Sequence, residues 1–124
     1  MIRAPRLAYA ESVDECLFCR IARREIAADV VREDEAVVVF RDINPQAPIH
    51  LLGIPRRHIA SARELTSADA ALLAAILEGL RTAAADQGAD SYRLVTNIGP
   101  DAGQSVAHLH VHLLAGRRLA WPPG

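Results

Sequence analysis

Residues 106–114, V-A-H-L-H-V-H-L-L, alternate strictly between two kinds of side chain. Laid out as a strand, the segment turns His108, His110 and His112 to one face and Leu109, Val111 and Leu113 to the other. The run A-V-V-V-F from Ala36 to Phe40 is β-branched, and Ile49 to Ile54 is an apolar run stopped by Pro55. Both read as strands of a largely buried sheet. Tyr92 to Asn97 and His108 to Leu114 read as the fourth and fifth strands. Leu17, Phe18, Ile21 and Ala22 recur at helical spacing and predict a short helix within Cys16 to Glu25. A long helix is predicted from about Ser67 to Gln87, capped by Thr66 or Ser67, with Asp69 at its positive end and Gly88 at its left-handed exit. Its expected buried stripe is Leu73, Ile76, Leu77 and Leu80. One long helix among hairpin-like strands indicates an α+β domain with a mostly antiparallel five-stranded sheet, one long helix and one short one. Residues 1–13 show no period and read as an N-terminal arm, leaving 14–124 as one domain. So small a sheet leaves edges exposed, and a homodimer is expected.

Composition narrows the partners. The chain has 124 residues, 51% hydrophobic and 23% charged, which suits one ordinary globular core. Its 14 basic and 15 acidic side chains nearly cancel, so no electrostatic footprint for nucleic acid or an anionic membrane is expected. No apolar stretch approaches a membrane span, and the first residues lack the apolar core of a signal peptide. A cytoplasmic location is expected. There, Cys16 and Cys19 are thiols or metal ligands rather than a disulfide, and a redox C-x-x-C lacks its usual βαβ setting.

The five histidines fall in two places, His50 and His58 around one strand and the alternating three on another. Three imidazoles on one face of an apolar strand need polar partners. A single catalytic zinc held by all three conflicts with strand geometry. Alternate residues stand ~6.6 Å apart, so His108 and His112 are ~13 Å apart, against Zn–N bonds of ~2 Å. The row must be divided between tasks. Just before it, the Gly103-Gln104-Ser105 turn can present backbone N–H groups to an anion. Asp42, ahead of Pro45, suits an Asx turn, and Asn97 ends a strand before a loop.

The stretch H-L-H-V-H-L-L at 108–114, with F-R-D-I-N-P-Q-A-P-I-H at 40–50, I-P-R-R-H at 54–58, G-Q-S-V at 103–106 and the terminal W-P-P-G, resembles the histidine-triad nucleotide-binding proteins. The tail is similar to the Hint branch, whose members are phosphoramidases acting on nucleoside phosphoramidates. The resemblance implies a histidine-triad fold and attack by His110 on the α-phosphorus of a purine nucleotide conjugate such as an AMP derivative. A nucleotidyl-histidine forms, and water then releases the nucleoside monophosphate. Neutral imidazole is a competent nucleophile near neutral pH. By the same resemblance, His112 binds phosphate oxygens, His50 flanks the nucleophile and Ser105 serves the leaving group. Asp42 holds the ribose, Ile43 packs on the base, and Asn97, Gly103, Gln104 and Val106 complete the nucleotide site. Trp121 is then a specificity element reaching a partner subunit. Some triad proteins also carry a structural zinc, and the matching ligands here are Cys16, Cys19, His58 and His108. Two alternatives remain: hydrolysis of dinucleoside polyphosphates by the same nucleophile, and a non-catalytic nucleotide-binding or scaffold protein.

Overall fold

The computed structural model describes residues 13–124, so the expected arm, apart from Val13, lies outside the described residues. Helix α1 spans Leu17–Ala22, and Cys16 caps it, its Sγ accepting the Cys19 N–H at 3.4 Å. Strands β1 (Val30–Glu33), β2 (Val37–Arg41) and β3 (Ile49–Pro55) follow as antiparallel neighbours. Helix α2 spans Ala70–Asp86 and leads to β4 (Tyr92–Val95) and β5 (Val111–Ala115). The sheet order is β1-β2-β3-β5-β4, and every neighbouring pair is antiparallel. The chain is therefore α+β, with β5 inserted between β3 and β4.

The sheet has two faces, and parity assigns side chains to them. Odd-numbered Val37, Val39, Leu51, Leu109, Val111 and Leu113 pack with Ile76, Leu80, Ala83 and Ala84 of α2. Even-numbered Val38, Phe40, Leu52 and Ile54 pack with Phe18, Cys19 and Ile21 of α1. The even-numbered triad histidines emerge on this second face, beside α1. Helix α2 sits very close to the sheet at Gly53, where an added Cβ would lie 2.9 Å from Leu80 Cγ and 3.2 Å from Ile76 Cγ2. Glycine is needed there for the approach, not for its backbone conformation.

Several expectations shift. A 3₁₀ turn at Ser67–Asp69 precedes α2, and Thr66 and Asp69 form a capping box around it. The buried stripe of α2 is Ile76, Leu80, Ala83 and Ala84; Leu73 is half-buried and Leu77 exposed, because the inward face drifts toward the alanines. Strand β1, absent from the reading of the sequence, is a short edge strand whose Val31 alone among its four residues packs on the core. Strand β4 stops at Val95, two residues before Asn97. The last strand begins at Val111 rather than His108. Residues 108–110 keep the alternation but leave the ladder: the Leu109 N–H donates to Ile59 O, and Thr96 Oγ1 donates to His110 O at 2.8 Å. Among the described residues, no helix is long and apolar enough to cross a membrane.

Candidate functional site

Each triad histidine is committed to a different neighbour. His108 is fully buried, and its Nε2–H donates to the Pro55 carbonyl at 2.8 Å. A carbonyl only accepts, so the proton must sit on Nε2, which leaves a lone pair on Nδ1. That nitrogen lies 3.4 Å from both Cys16 Sγ and Cys19 Sγ. His58 Nδ1 completes the group at 3.2 Å from Cys19 Sγ. The four ligating atoms all lie within 4.8 Å of one another.

These residues fit a tetrahedral metal ion. Two sulfurs at ~2.3 Å and two nitrogens at ~2.0 Å from a common centre stand ~3.3–3.8 Å from each other, close to the spacings seen. The Pro55 carbonyl holds the His108 ring as second-sphere acceptors hold metal-bound imidazoles. Burial, with the Cys16 side chain beside it, pushes the Cys19 thiol up to about 12. A thiolate there needs a cation next to it. Arg23 opposes this rise, but its side chain is exposed.

His110 is buried, and its Nδ1–H donates to the His108 carbonyl at 2.7 Å. Its lone pair is therefore on Nε2, and the ring lines a cavity of about 950 Å³. Burial holds its pKa below the usual imidazole value, outweighing the His108 carbonyl and the Asp42 charge, which act the other way. Phe18 of α1 stands edge-on to it, ring centroids 5.0 Å apart and planes at 84°, and also contacts His108 at 6.0 Å. Helix α1 thus joins the cysteine–histidine cluster to the wall that carries His110.

His112 pairs with His50 across β3 and β5. The backbone N–H of Gln46 donates to His50 Nδ1 at 3.0 Å, so neutral His50 carries its proton on Nε2. That Nε2–H faces His112 Nδ1 at 2.9 Å and Asp42 Oδ2 at 3.3 Å. With Nδ1 accepting, His112 in turn bears its proton on Nε2. Burial lowers His112 to about 4, helped by the neighbouring histidines and opposed by Asp42. Burial likewise lowers His50, again against Asp42. Asp42, His50 and His112 also cluster within 4.8 Å. The Gln46 N–H nevertheless claims His50 Nδ1 and keeps a proton on Nε2, which suits hydrogen bonding rather than ligation.

The same cavity is lined by Asp42, Ile43, Asn97, Gly103, Ser105, Val106 and His112, which brings together most of the residues expected to form a nucleotide site. Asp42 is also the Asx turn that its sequence allows, since Oδ1 accepts the Asn44 N–H at 2.8 Å. Ile43 is 99% exposed at the rim. Gly103 takes a left-handed conformation, φ 101°, packed toward the Asn97 amide. Gln104 departs from the expectation. It is buried outside the cavity lining, and its side chain accepts from Gly99 N and donates to Ala60 O and Val106 O, so it braces the loop. Trp121 is 81% exposed and is not part of the lining. His50 is 6% exposed, well inside the sheet rather than at a wet strand edge.

The residues that sequence reasoning missed form the apolar wall: Leu17, Phe18, Ile21, Ile26, Phe40 and Leu52. Their helical or strand period marks them only as buried. Asp29 and Arg41, also missed, line the cavity as an ion pair at 3.0 Å.

Comparison with known proteins agrees with this geometry. The family model described as scavenger mRNA decapping enzyme C-term binding matches residues 15–118. An uncharacterized HIT-like protein of Synechococcus elongatus is 50% identical over 112 residues, covering 90% of this chain and 98% of that protein. A crystal structure of a HIT family hydrolase from Legionella pneumophila superposes with a TM-score of 0.86 at 50% identity, covering 89% of this chain and 100% of the other. A HIT family hydrolase from Clostridium thermocellum gives 0.85 at 42% identity, with 88% and 96% covered. A histidine triad protein from Clostridium difficile gives 0.83 at 38%, with 89% and 96% covered. With His108, His110 and His112 alternating along one extended segment and the match running through nearly the whole described chain, this protein belongs to the histidine-triad (HIT) family.

Proposed function

We propose that this protein is a nucleotide hydrolase that cleaves the bond between a nucleoside 5′-phosphoryl group and its leaving group, with a purine nucleoside phosphoramidate as the favoured substrate class. The carrying observation is the fixed tautomer of His110: Nδ1–H is tied to the His108 carbonyl, and Nε2 is left as a lone pair in the cavity wall. Burial keeps the ring neutral below the ordinary range, so the nucleophile needs no base to deprotonate it.

In the proposed reaction Nε2 bonds to the α-phosphorus as the P–N bond breaks, and the departing amine takes up a proton relayed from solvent, which the later attack of water on phosphorus returns to solvent. Ser105 lines the cavity, which supports its hydroxyl as the group that hydrogen-bonds the departing amine and relays that proton. The resulting nucleotidyl-imidazole has a cationic leaving group. Water then attacks phosphorus, releases the nucleoside monophosphate and returns neutral His110. His112 offers an Nε2–H to a phosphate oxygen throughout, and such a donor is most effective where charge develops. Asp42 would take the ribose hydroxyls, Ile43 and the apolar wall the base, and Asn97, Gly103 and Val106 the remaining contacts. The cysteine–histidine cluster would hold zinc, which when bound ties the start of α1 to the sheet and takes no part in bond cleavage. The exposed Leu94 on edge strand β4 and the exposed Leu77 support a homodimer, in which Trp121 could meet the partner's site.

The experiment is mass spectrometry of the protein quenched during turnover of an adenosine 5′-phosphoramidate, with diadenosine polyphosphate in parallel. An adenylyl adduct on the His110 peptide is expected, faster from the phosphoramidate. His110→Ala should abolish the adduct and turnover yet retain AMP binding, since binding rests on other residues. Retained turnover in His110→Ala overturns the assignment. Preference for the polyphosphate would reassign the leaving group, and AMP binding without any turnover would point to a scaffold.

A further inference from the structure

The loop 42–48 supplies the hydrogen bond that sets the His50 tautomer, yet most of it is exposed. Pro45 and Pro48 have no N–H. The Asn44 N–H is taken by Asp42 Oδ1 and the Gln46 N–H by His50 Nδ1. The loop's hold on the imidazole therefore rests on where Gln46 sits.

Gln46 is gripped from the C-terminal side of the sheet. Beyond β5, Arg117 Nε and its terminal nitrogen donate to the Gln46 carbonyl at 3.1 and 3.0 Å. Its other nitrogen donates to the Arg118 carbonyl at 3.0 Å, which holds the guanidinium plane in place. The approach is close. Gly116 has φ 94°, and a Cβ there would lie 2.8 Å from Pro48 Cβ, so the tail crosses the loop with no room for a side chain.

We propose that Arg117 is a positioning residue for the phosphate-binding face, acting through Gln46 and His50 to keep a proton on His112 Nε2. The argument is one of donors and acceptors. While the Gln46 N–H meets His50 Nδ1, His50 must donate from Nε2, and His112 must accept at Nδ1 and carry its proton on Nε2. If Gln46 drifts away, Nδ1 of His50 is no longer barred from carrying the proton, and only the 3.3 Å contact of Nε2 with Asp42 Oδ2 still favours the first tautomer, so both become populated. In the second, His112 becomes the donor of the pair, and its Nε2 turns a lone pair on the incoming phosphate oxygen. A planar fork making two bonds to one carbonyl limits that drift better than a single flexible ammonium can.

The consequence for turnover rests on the hydrolase reading above, but the tautomers do not, and the test reads both. Nitrogen-15 NMR of the imidazoles would be recorded for wild type, Arg117→Ala, Arg117→Lys and the control Arg118→Ala. Wild type and Arg118→Ala are expected to show His50 and His112 each as a single Nε2–H tautomer. Arg117→Ala should average them, while Arg117→Lys stays nearer wild type. With a phosphoramidate substrate, kcat of Arg117→Ala should fall about tenfold, below the full loss of an oxyanion donor, with KM nearly unchanged. Unshifted imidazole nitrogens in a folded Arg117→Ala overturn the proposal, whatever the turnover. Shifted nitrogens in Arg117→Ala, alongside a wild type that turns nothing over, support the wiring and count against the hydrolase reading alone.

Discussion

Acidification should destabilise this protein through His112 well before its carboxylates are protonated. His112 is lowered by burial from the ordinary 6.5 to about 4. Between those values the unfolded chain binds a proton that the folded chain refuses, so stability falls as pH drops through this window and the contribution is fully lost below about 4. At about pH 5 the unfolded imidazole gains a factor of about 30 over the folded one, or roughly 2 kcal/mol. Against a total stability of order 5–15 kcal/mol that is a large share. The assay is urea denaturation from about pH 7 to 4.5 for wild type and His112→Asn, alongside an NMR titration of the His112 ring. Wild type should lose roughly 2 kcal/mol more than His112→Asn over that range. His108 is lowered to a similar level and is present in both proteins, so its contribution cancels, and the difference reports His112 together with its hydrogen-bonded partner His50. Parallel stability profiles, or a His112 ring titrating at its ordinary value, would refute the reasoning.

Two further outcomes follow from the site. Cys19→Ser should lower the bound metal measured by elemental analysis and reduce Tm, whereas His110→Ala keeps the metal; a protein that loses it in His110→Ala instead would place the ion on the triad. Ile43 is almost wholly exposed and supports nothing in the fold, so Ile43→Ser should leave Tm unchanged and weaken AMP binding by about tenfold to a hundredfold, as expected when an aliphatic side chain loses a burial worth ~1.5–3 kcal/mol. Equal affinity by calorimetry would remove the base from that end of the cavity.

What the sequence could reveal was decided by how local each cause is. Parity along 108–114 is a property of any extended chain, so the split between the histidine face and the leucine face was legible even though residues 108–110 are not laddered. The four metal-cluster residues were legible from the motifs that carry them, and the structure brings them together. Edge strand β1 was not, because V-V-R-E turns only Val31 to the core and carries no alternating signal. Leu77 misled for the opposite reason. Hydrophobic spacing favours the larger side chain, but the close contact at Gly53 turns Ile76 and Leu80 inward, with Ala83 and Ala84 a turn later.

The functional residues divide along the same line, and the division reaches down to single protons. Gln104 has the residue type and motif position of a ligand contact, yet its amide serves Gly99 N, Val106 O and, 44 residues away, Ala60 O. No local pattern announces those partners. The triad itself shows the limit most sharply. Composition and spacing identify which imidazoles share a face, but the chemistry of each depends on which nitrogen keeps its hydrogen. Three backbone groups decide that: the Pro55 carbonyl for His108, the His108 carbonyl for His110, and the Gln46 N–H for His50 and, through it, His112. Backbone groups are the same for nearly every residue type, so only the fold can say where they point. One row of identical side chains thereby yields a lone pair facing two cysteine sulfurs, a lone pair on a ring that lines the cavity and a donor on another such ring, and exchanging any one of those backbone partners would reassign the role of the ring it holds.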